Sequence, residues 1–151
     1  PNARAMFIGM TMDTSRKDMT LAVLEGVAFA LRDSFEVAKS LGIFIQRTTI
    51  CGGGAKSELW KKIVANVLNI KVDIVECEEG PSYGGAILAA VACGEYKDVN
   101  EAASKITKVI ATIEPTATLA EAYDEKYKMF HQIYPTVKNL FSNLKNESSN
   151  K

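Results

Sequence analysis

The chain has 151 residues, 47% hydrophobic and 24% charged, which is enough for one domain with a sizeable core. Eighteen basic and eighteen acidic side chains leave a formal net charge of zero, so nothing favours nucleic acid or a membrane surface as partner. No apolar run reaches the length of a membrane span.

Pro1-Asn2-Ala3-Arg4 carries neither an initiator Met nor a signal peptide, and the expectation is a piece of a longer protein. Residues 5–10 are a short apolar stretch, too brief to assign from alternation. Ser15 and Asp18 have the spacing of a capping box, opening a long helix that Gly42 stops. Its core face is expected to hold Leu24, Val27, Ala28, Leu31, Phe35 and Ala38, with Glu25, Arg32, Asp33, Glu36 and Lys39 on the polar side. A strand follows over 46–51, β-branched at Thr48, Thr49 and Ile50.

Gly52-Gly53-Gly54 interrupts this strand before a helix whose apolar stripe is Trp60, Ile63, Val64, Val67 and Leu68. Residues 71–75 form a second strand. Gly80-Pro81-Ser82-Tyr83-Gly84-Gly85 reads as a second turn, leading into a helix over 86–93 whose Ala and Cys residues predict close packing against a neighbour. A short amphipathic helix over 100–108 and a possible strand over 109–114 come next. From Leu119 onward Tyr123, Tyr127, Phe130, Tyr134, Val137, Phe141 and Leu144 recur at helical spacing, with Pro135 expected to kink or interrupt the helix. Residues 146–151 are polar and expected to be a disordered tail. Strands alternating with helices predict an α/β layer with some parallel pairing.

Chemistry concentrates at the glycines. Three residues without Cβ let the main chain take positive φ and approach a flat ring or a phosphate, and the next helix offers N–H groups at its first turn. The pattern is neither Gly-x-Gly-x-x-Gly nor a P-loop, since Ile50 stands where the latter needs its first glycine. If the Gly80–Gly85 turn lies beside it, two bare turns bracket one flat ligand at the edge of the sheet. Elsewhere the sequence offers little. Asp13 and Asp18 flank a helix start and suit capping, and Glu76, Glu78 and Glu79 suit a solvated turn. The single His131 cannot build a metal site alone, and no Ser/His/Asp arrangement is available. Cys51, Cys77 and Cys93 lack CxxC spacing and are expected to be buried thiols of a reducing compartment.

These residues resemble the FGGY carbohydrate kinases. Ala5-x-Phe7-x-Gly9-Met10, seven residues, then Asp18-Met19-x-x-Ala22-Val23-Leu24-Glu25 is similar to that family's second signature at every specified position. Gly52-Gly53-Gly54-Ala55-Lys56-Ser57-x-Leu59-Trp60 resembles its adenosine-binding turn, and Gly80-Pro81-x-x-Gly84-x-Ala86 its following small-residue loop. Glu114-Pro115 and Tyr134-Pro135 match xylulokinase-like members, and the likeness runs over about residues 1–141. It implies the α/β actin-like ATPase (ribonuclease H-like) fold, with residues 1–145 as the distal part of the C-terminal, nucleotide-binding lobe. It implies ATP with Mg²⁺ as cofactors and a pentulose as substrate, bound through an N-terminal domain. Gly52, Gly53, Gly54 and Ala55 line adenosine, while Ser57 and Glu58 approach the adenine edge, Glu58 standing where other members carry an amide. The resemblance places the catalytic Asp and the sugar site upstream. It therefore implies a cytoplasmic enzyme of which this piece alone is inactive.

Two further expectations compete. Another member of the family could act on gluconate, glycerol, ribulose or rhamnulose. Outside enzymes, the 123–144 stripe could pair with a second helix, including that of another copy in a homodimer.

Overall fold

The computed structural model describes residues 3–77 and 80–148, with side chains as far as Phe141. Glu78, Glu79, the Leu144 side chain and residues 149–151, on which expectations were placed above, lie outside this description.

Residues 3–13 are exposed and without regular structure, closing in a turn where the Thr14 N–H donates to the Thr11 carbonyl at 3.1 Å. Helix α1 (Arg16–Ser40) begins with the capping box: Ser15 Oγ accepts from the Asp18 N–H, and the Asp18 carboxylate accepts from the Ser15 N–H at 2.9 Å. The Ser15 bonds hold the Asp18 carboxyl below the usual carboxylate range. The helix ends in a Schellman motif. Gly42 takes φ +81°, and the Gly42 and Ile43 N–H groups donate to the Lys39 and Ala38 carbonyls.

The buried side of α1 differs from the expected one. Ala28 and Phe29 are buried together with Glu25, whereas Val27 and Leu31 are 51% and 42% exposed. Polar side chains turn inward because partners wait for them on the last helix, α5 (Ala117–Ser148). Glu25 accepts from Tyr123 Oη at 3.0 Å and pairs with Lys126 Nζ at 3.0 Å. Arg32 pairs with Asp124 at 2.5 Å and lies over the Tyr127 ring at 4.2 Å. Asp33 accepts from Tyr127 Oη at 2.7 Å.

The sheet is mixed, in the order β1-β2-β3. β1 (Arg47–Ile50) pairs in parallel with β2 (Lys71–Val75), and β2 pairs antiparallel with β3 (Val109–Ile113). A parallel pair needs a crossover, supplied by a short 3₁₀ turn (Gly53–Lys56) and helix α2 (Glu58–Leu68). Asn69 makes the return to β2 tight by taking the left-handed conformation, φ 51° and ψ 44°, which asparagine tolerates.

Helix α2 is the middle layer. On one side Ile63 and Val67 join Ala28, Phe29 and Tyr127; on the other Val64 and Ala65 meet Val72 of the sheet. Trp60 packs against both clusters. Asn66 anchors the approach to α5, its Oδ1 accepting from the Thr116 N–H at 2.8 Å. The Tyr123, Tyr127 and Phe130 part of the aromatic stripe packs against the first cluster, while Tyr134 is 56% exposed. Pro135 does not end α5. It lacks the N–H that would reach the His131 carbonyl, yet the helix continues on both sides, and Thr136 Oγ1 donates to the Gln132 carbonyl at 2.8 Å.

Helices α3 (Gly80–Ala92) and α4 (Val99–Ile106) pack on each other, with Tyr83 Oη donating to the Ile106 carbonyl at 2.7 Å. The expected turn at Gly80–Gly85 is itself helical. The expected close packing of the small residues is not found either: Ile87 is the buried residue of α3, and Ala86 and Ala89 are exposed.

Candidate functional site

The glycine loop leaves the sheet at the end of β1. Two of its glycines answer different demands. Gly52 takes φ +77°, a conformation that L side chains rarely adopt. Gly54 is required by packing, since a Cβ there would stand 2.9 Å from Trp60 Cδ1 and 3.0 Å from Nε1. Gly53 meets neither demand; a Cβ would point into open space. The loop folds into one 3₁₀ turn, with the Ala55 N–H donating to Gly52 and the Ser57 N–H to Gly54. Ala55 tucks its methyl inward, while Gly52, Gly53 and Gly54 stay exposed. Bare backbone therefore faces outward from a hydrogen-bonded turn backed by the Trp60 indole.

Helix α2 does not offer all of its first-turn N–H groups. Ser57 is its N-cap, and its Oγ accepts from the Trp60 N–H at 3.2 Å. The Ser57 hydroxyl is exposed and keeps its own proton for a second partner. Glu58, also exposed, is paired with Lys61, a bond that holds its carboxyl below the usual range. Ionised, Glu58 can only accept hydrogen bonds.

The second small-residue segment touches the residue that precedes the glycine loop. A Cβ on Gly80 would stand 2.6 Å from Cys51 Sγ, so the start of α3 abuts the residue just before Gly52. Gly84 and Gly85, one turn further on, have open space beside them. The structure thus sets Gly80 against Cys51, the residue that leads into the glycine loop, at the edge of the sheet where β1 and β2 end.

Other candidates turn out structural or peripheral. Asp18 is a cap. Asp33 holds Tyr127, and Glu76 pairs with Lys108 at 3.0 Å on the surface. Cys51 and Cys93 are exposed and Cys77 half-buried, correcting the expectation of buried thiols: each stands at the end of an element rather than within the core. Among the described residues no group of three His, Cys, Asp or Glu side chains could hold a metal ion, so none is assigned a role toward Mg²⁺. No described helix is long and apolar enough to cross a membrane.

Sequence reasoning missed three partnerships. Glu25 was placed on the polar face. The signal for its burial was the pair Tyr123 and Lys126, three residues apart on a helix that had to pack somewhere. The contacts Trp60–Gly54 and Cys51–Gly80 had no local signal, since each joins residues from different elements.

A mixed sheet crossed by α2, with bare turns at one edge, is an α/β lobe of the actin-like ATPase type, and the comparisons agree. Residues 1–93 match the C-terminal domain of the FGGY family of carbohydrate kinases. The chain is 33% identical to a xylulose kinase of Staphylococcus epidermidis over 141 residues, 93% of this chain and 28% of that protein. It is 31% identical to one of Bacillus subtilis over 147 residues, 97% of this chain and 30% of that protein. The crystal structure of xylulose kinase from Rhodospirillum rubrum superposes with a TM-score of 0.81 at 30% identity, covering 94% of this chain and 29% of that one. This chain belongs to the FGGY carbohydrate kinases, as the C-terminal domain of that family. It spans less than a third of the length of the relatives it matches.

Proposed function

We propose that this chain supplies the adenosine side of the ATP site of a sugar kinase that phosphorylates D-xylulose at its 5-hydroxyl. The observation that carries the reading is the bare glycine loop, with open space where a Gly53 side chain would stand, and the start of α3 set against Cys51, the residue that leads into that loop. Such a surface admits a flat ring against main chain, and the indole under Gly54 fixes its shape. Gly52, Gly53, Gly54 and Ala55 form the floor. Ser57 and Glu58 flank it at the head of α2, Glu58 accepting from the exocyclic amine of adenine.

ATP supplies the phosphoryl group; this chain's residues bind and orient the nucleoside end of it. Phosphoryl transfer depends on positioning and an oriented nucleophile. No described residue has the setting of a general base, so the 151-residue chain alone is expected not to turn over ATP with D-xylulose. The xylulose assignment follows the named activity of the relatives above and the Gly-Gly-Gly-Ala-Lys-Ser-x-Leu-Trp wording. An ATP-using enzyme with free thiols at all three cysteines fits a cytoplasmic setting.

Titrating ADP into the ¹⁵N-labelled chain tests the nucleotide reading. Amide shifts concentrated at 52–58 and 80–85, with a dissociation constant of roughly 0.1–10 mM for half a site, are expected. A folded spectrum untouched by ADP would sink it. The sugar is tested on the full-length kinase with a panel of D-xylulose, ribulose, gluconate, glycerol and rhamnulose. Preference for any but D-xylulose reassigns the substrate.

A further inference from the structure

We infer that Cys51 and Gly80 form a spacer pair, a contact that fixes the gap between the glycine loop and the start of α3 and so tunes the fit of the nucleoside. The ligand in this inference rests on the reading proposed above; the contact stands on geometry alone.

β1 and β2 are parallel neighbours in register, Ile50 opposite Ile74, so both strands leave the sheet at one edge. The chain after β1 passes through Cys51 directly into Gly52. The chain after β2 returns at Gly80 as the first residue of α3. A Cβ on Gly80 would lie 2.6 Å from Cys51 Sγ and 3.4 Å from Cys51 Cβ. The first distance is far inside van der Waals contact, the second at its edge. Cys51 has one rotatable side-chain bond, so its sulfur can leave only by swinging about χ1, and the adjacent Cβ is already close. The two segments therefore leave no room for a Cβ at residue 80 unless the Cys51 sulfur moves. Gly53, Gly84 and Gly85 meet nothing around them, which leaves Cys51–Gly80 as the wall contact among these glycines.

The size of residue 51 then acts as a positioning element. Cys51 need not touch the ligand. It sets where Gly52, Gly53 and Gly54 stand relative to α3, and small misplacements of a binding surface weaken what it holds. Enlarging either partner should move the glycine loop, and shrinking the other should return it.

The test is a two-by-two set: the unsubstituted chain, Gly80→Ala, Cys51→Ala and the double variant. Each is read by ¹⁵N–¹H spectra without nucleotide, by ADP titration and by thermal unfolding. Gly80→Ala is expected to shift the Gly52, Gly53 and Gly54 amides and to weaken ADP roughly tenfold. Adding Cys51→Ala removes the sulfur, leaves the 3.4 Å contact, and should restore both readouts. A role confined to stability would instead move the melting temperature in step with affinity. Should Gly80→Ala not fold, Cys51→Met presses on the same contact from the other side and should shift the same amides. Unmoved amides, or a double variant as displaced as Gly80→Ala, would overturn the spacer. If the unsubstituted chain binds no ADP, the nucleotide reading fails by itself, and the amide shifts still decide the spacer.

Discussion

At the scale of single residues, adjacent glycines carry opposite burdens. Gly54→Ala drives a methyl into the Trp60 indole, an overpacking that should destabilise by about 1–3 kcal/mol in denaturant unfolding. Gly53→Ala meets no atom and should change stability by less than about 0.5 kcal/mol, while weakening ADP because its methyl stands in the open floor. Equal losses of stability in both would show that Gly53 too is held by packing. Asp73, buried in the central strand, invites a pH experiment. Arg47 above all, then Thr112, bonds its carboxylate and holds its pKa below the ordinary 3.8. A depressed native pKa means the unfolded chain binds the proton more readily. Its stabilisation is therefore complete above about pH 4 and fades as the pH falls through the native value. Asp73→Asn should cost about 1–3 kcal/mol at neutral pH and flatten the acid limb of the stability profile. An acid limb unchanged in the variant would assign that limb to other carboxylates.

At the scale of elements, α1 and α5 are joined by polar groups laid along a shared face, and a phenol reports on them. Burial, with the Glu25 carboxylate beside it, pushes the Tyr123 hydroxyl up to about 12. Because the native pKa is raised, the stabilisation is whole below pH 10 and is lost as the pH climbs toward 12. Burial and the Asp33 carboxylate raise the Tyr127 hydroxyl as well, so ultraviolet titration should show a late-ionising component of two phenols that Tyr123→Phe reduces by half; an undiminished amplitude in that variant would place the late phenols elsewhere. The elements themselves were largely legible. The capping box at Ser15, Gly42 as a helix stop and the bounds of β2 needed only local chemistry. The rotation of α1 was not legible, because buried Glu25 and half-buried Arg32 are turned inward by partners about a hundred positions away. Nor was the helical state of Gly80–Gly85, where tertiary context overrides the turn propensity of glycine and proline.

At the scale of the whole molecule, apolar surface remains outside. Met6, Phe7, Ile8, Val23, Val27 and Leu31 are more than 40% exposed, so concentration-dependent association would not by itself implicate the aromatic stripe of α5. The stripe is separable by mutation. Phe130 packs against the core that holds Phe29, their rings 5.2 Å apart, whereas Tyr134 is mostly outside. Phe130→Asp should lower the thermal midpoint by several degrees, and Tyr134→Asp should leave it nearly unchanged. Sedimentation in which Tyr134→Asp turns a dimer into a stable monomer would revive pairing through this helix. The site was half legible: the glycines announced bare backbone, but only the folded chain shows which glycine serves a turn, which an indole and which open space.

Trp60 is the one tryptophan in the sequence. It joins the helical cluster, the sheet cluster and the underside of Gly54. Its fluorescence therefore comes from the junction of three neighbourhoods rather than from an arbitrary point. A blue-shifted emission that reddens on unfolding and a quenching that follows added nucleotide would be read from the same fluorophore. The chain carries its own optical gauge of the scaffold, and of the nucleotide in the function proposed above, without a label.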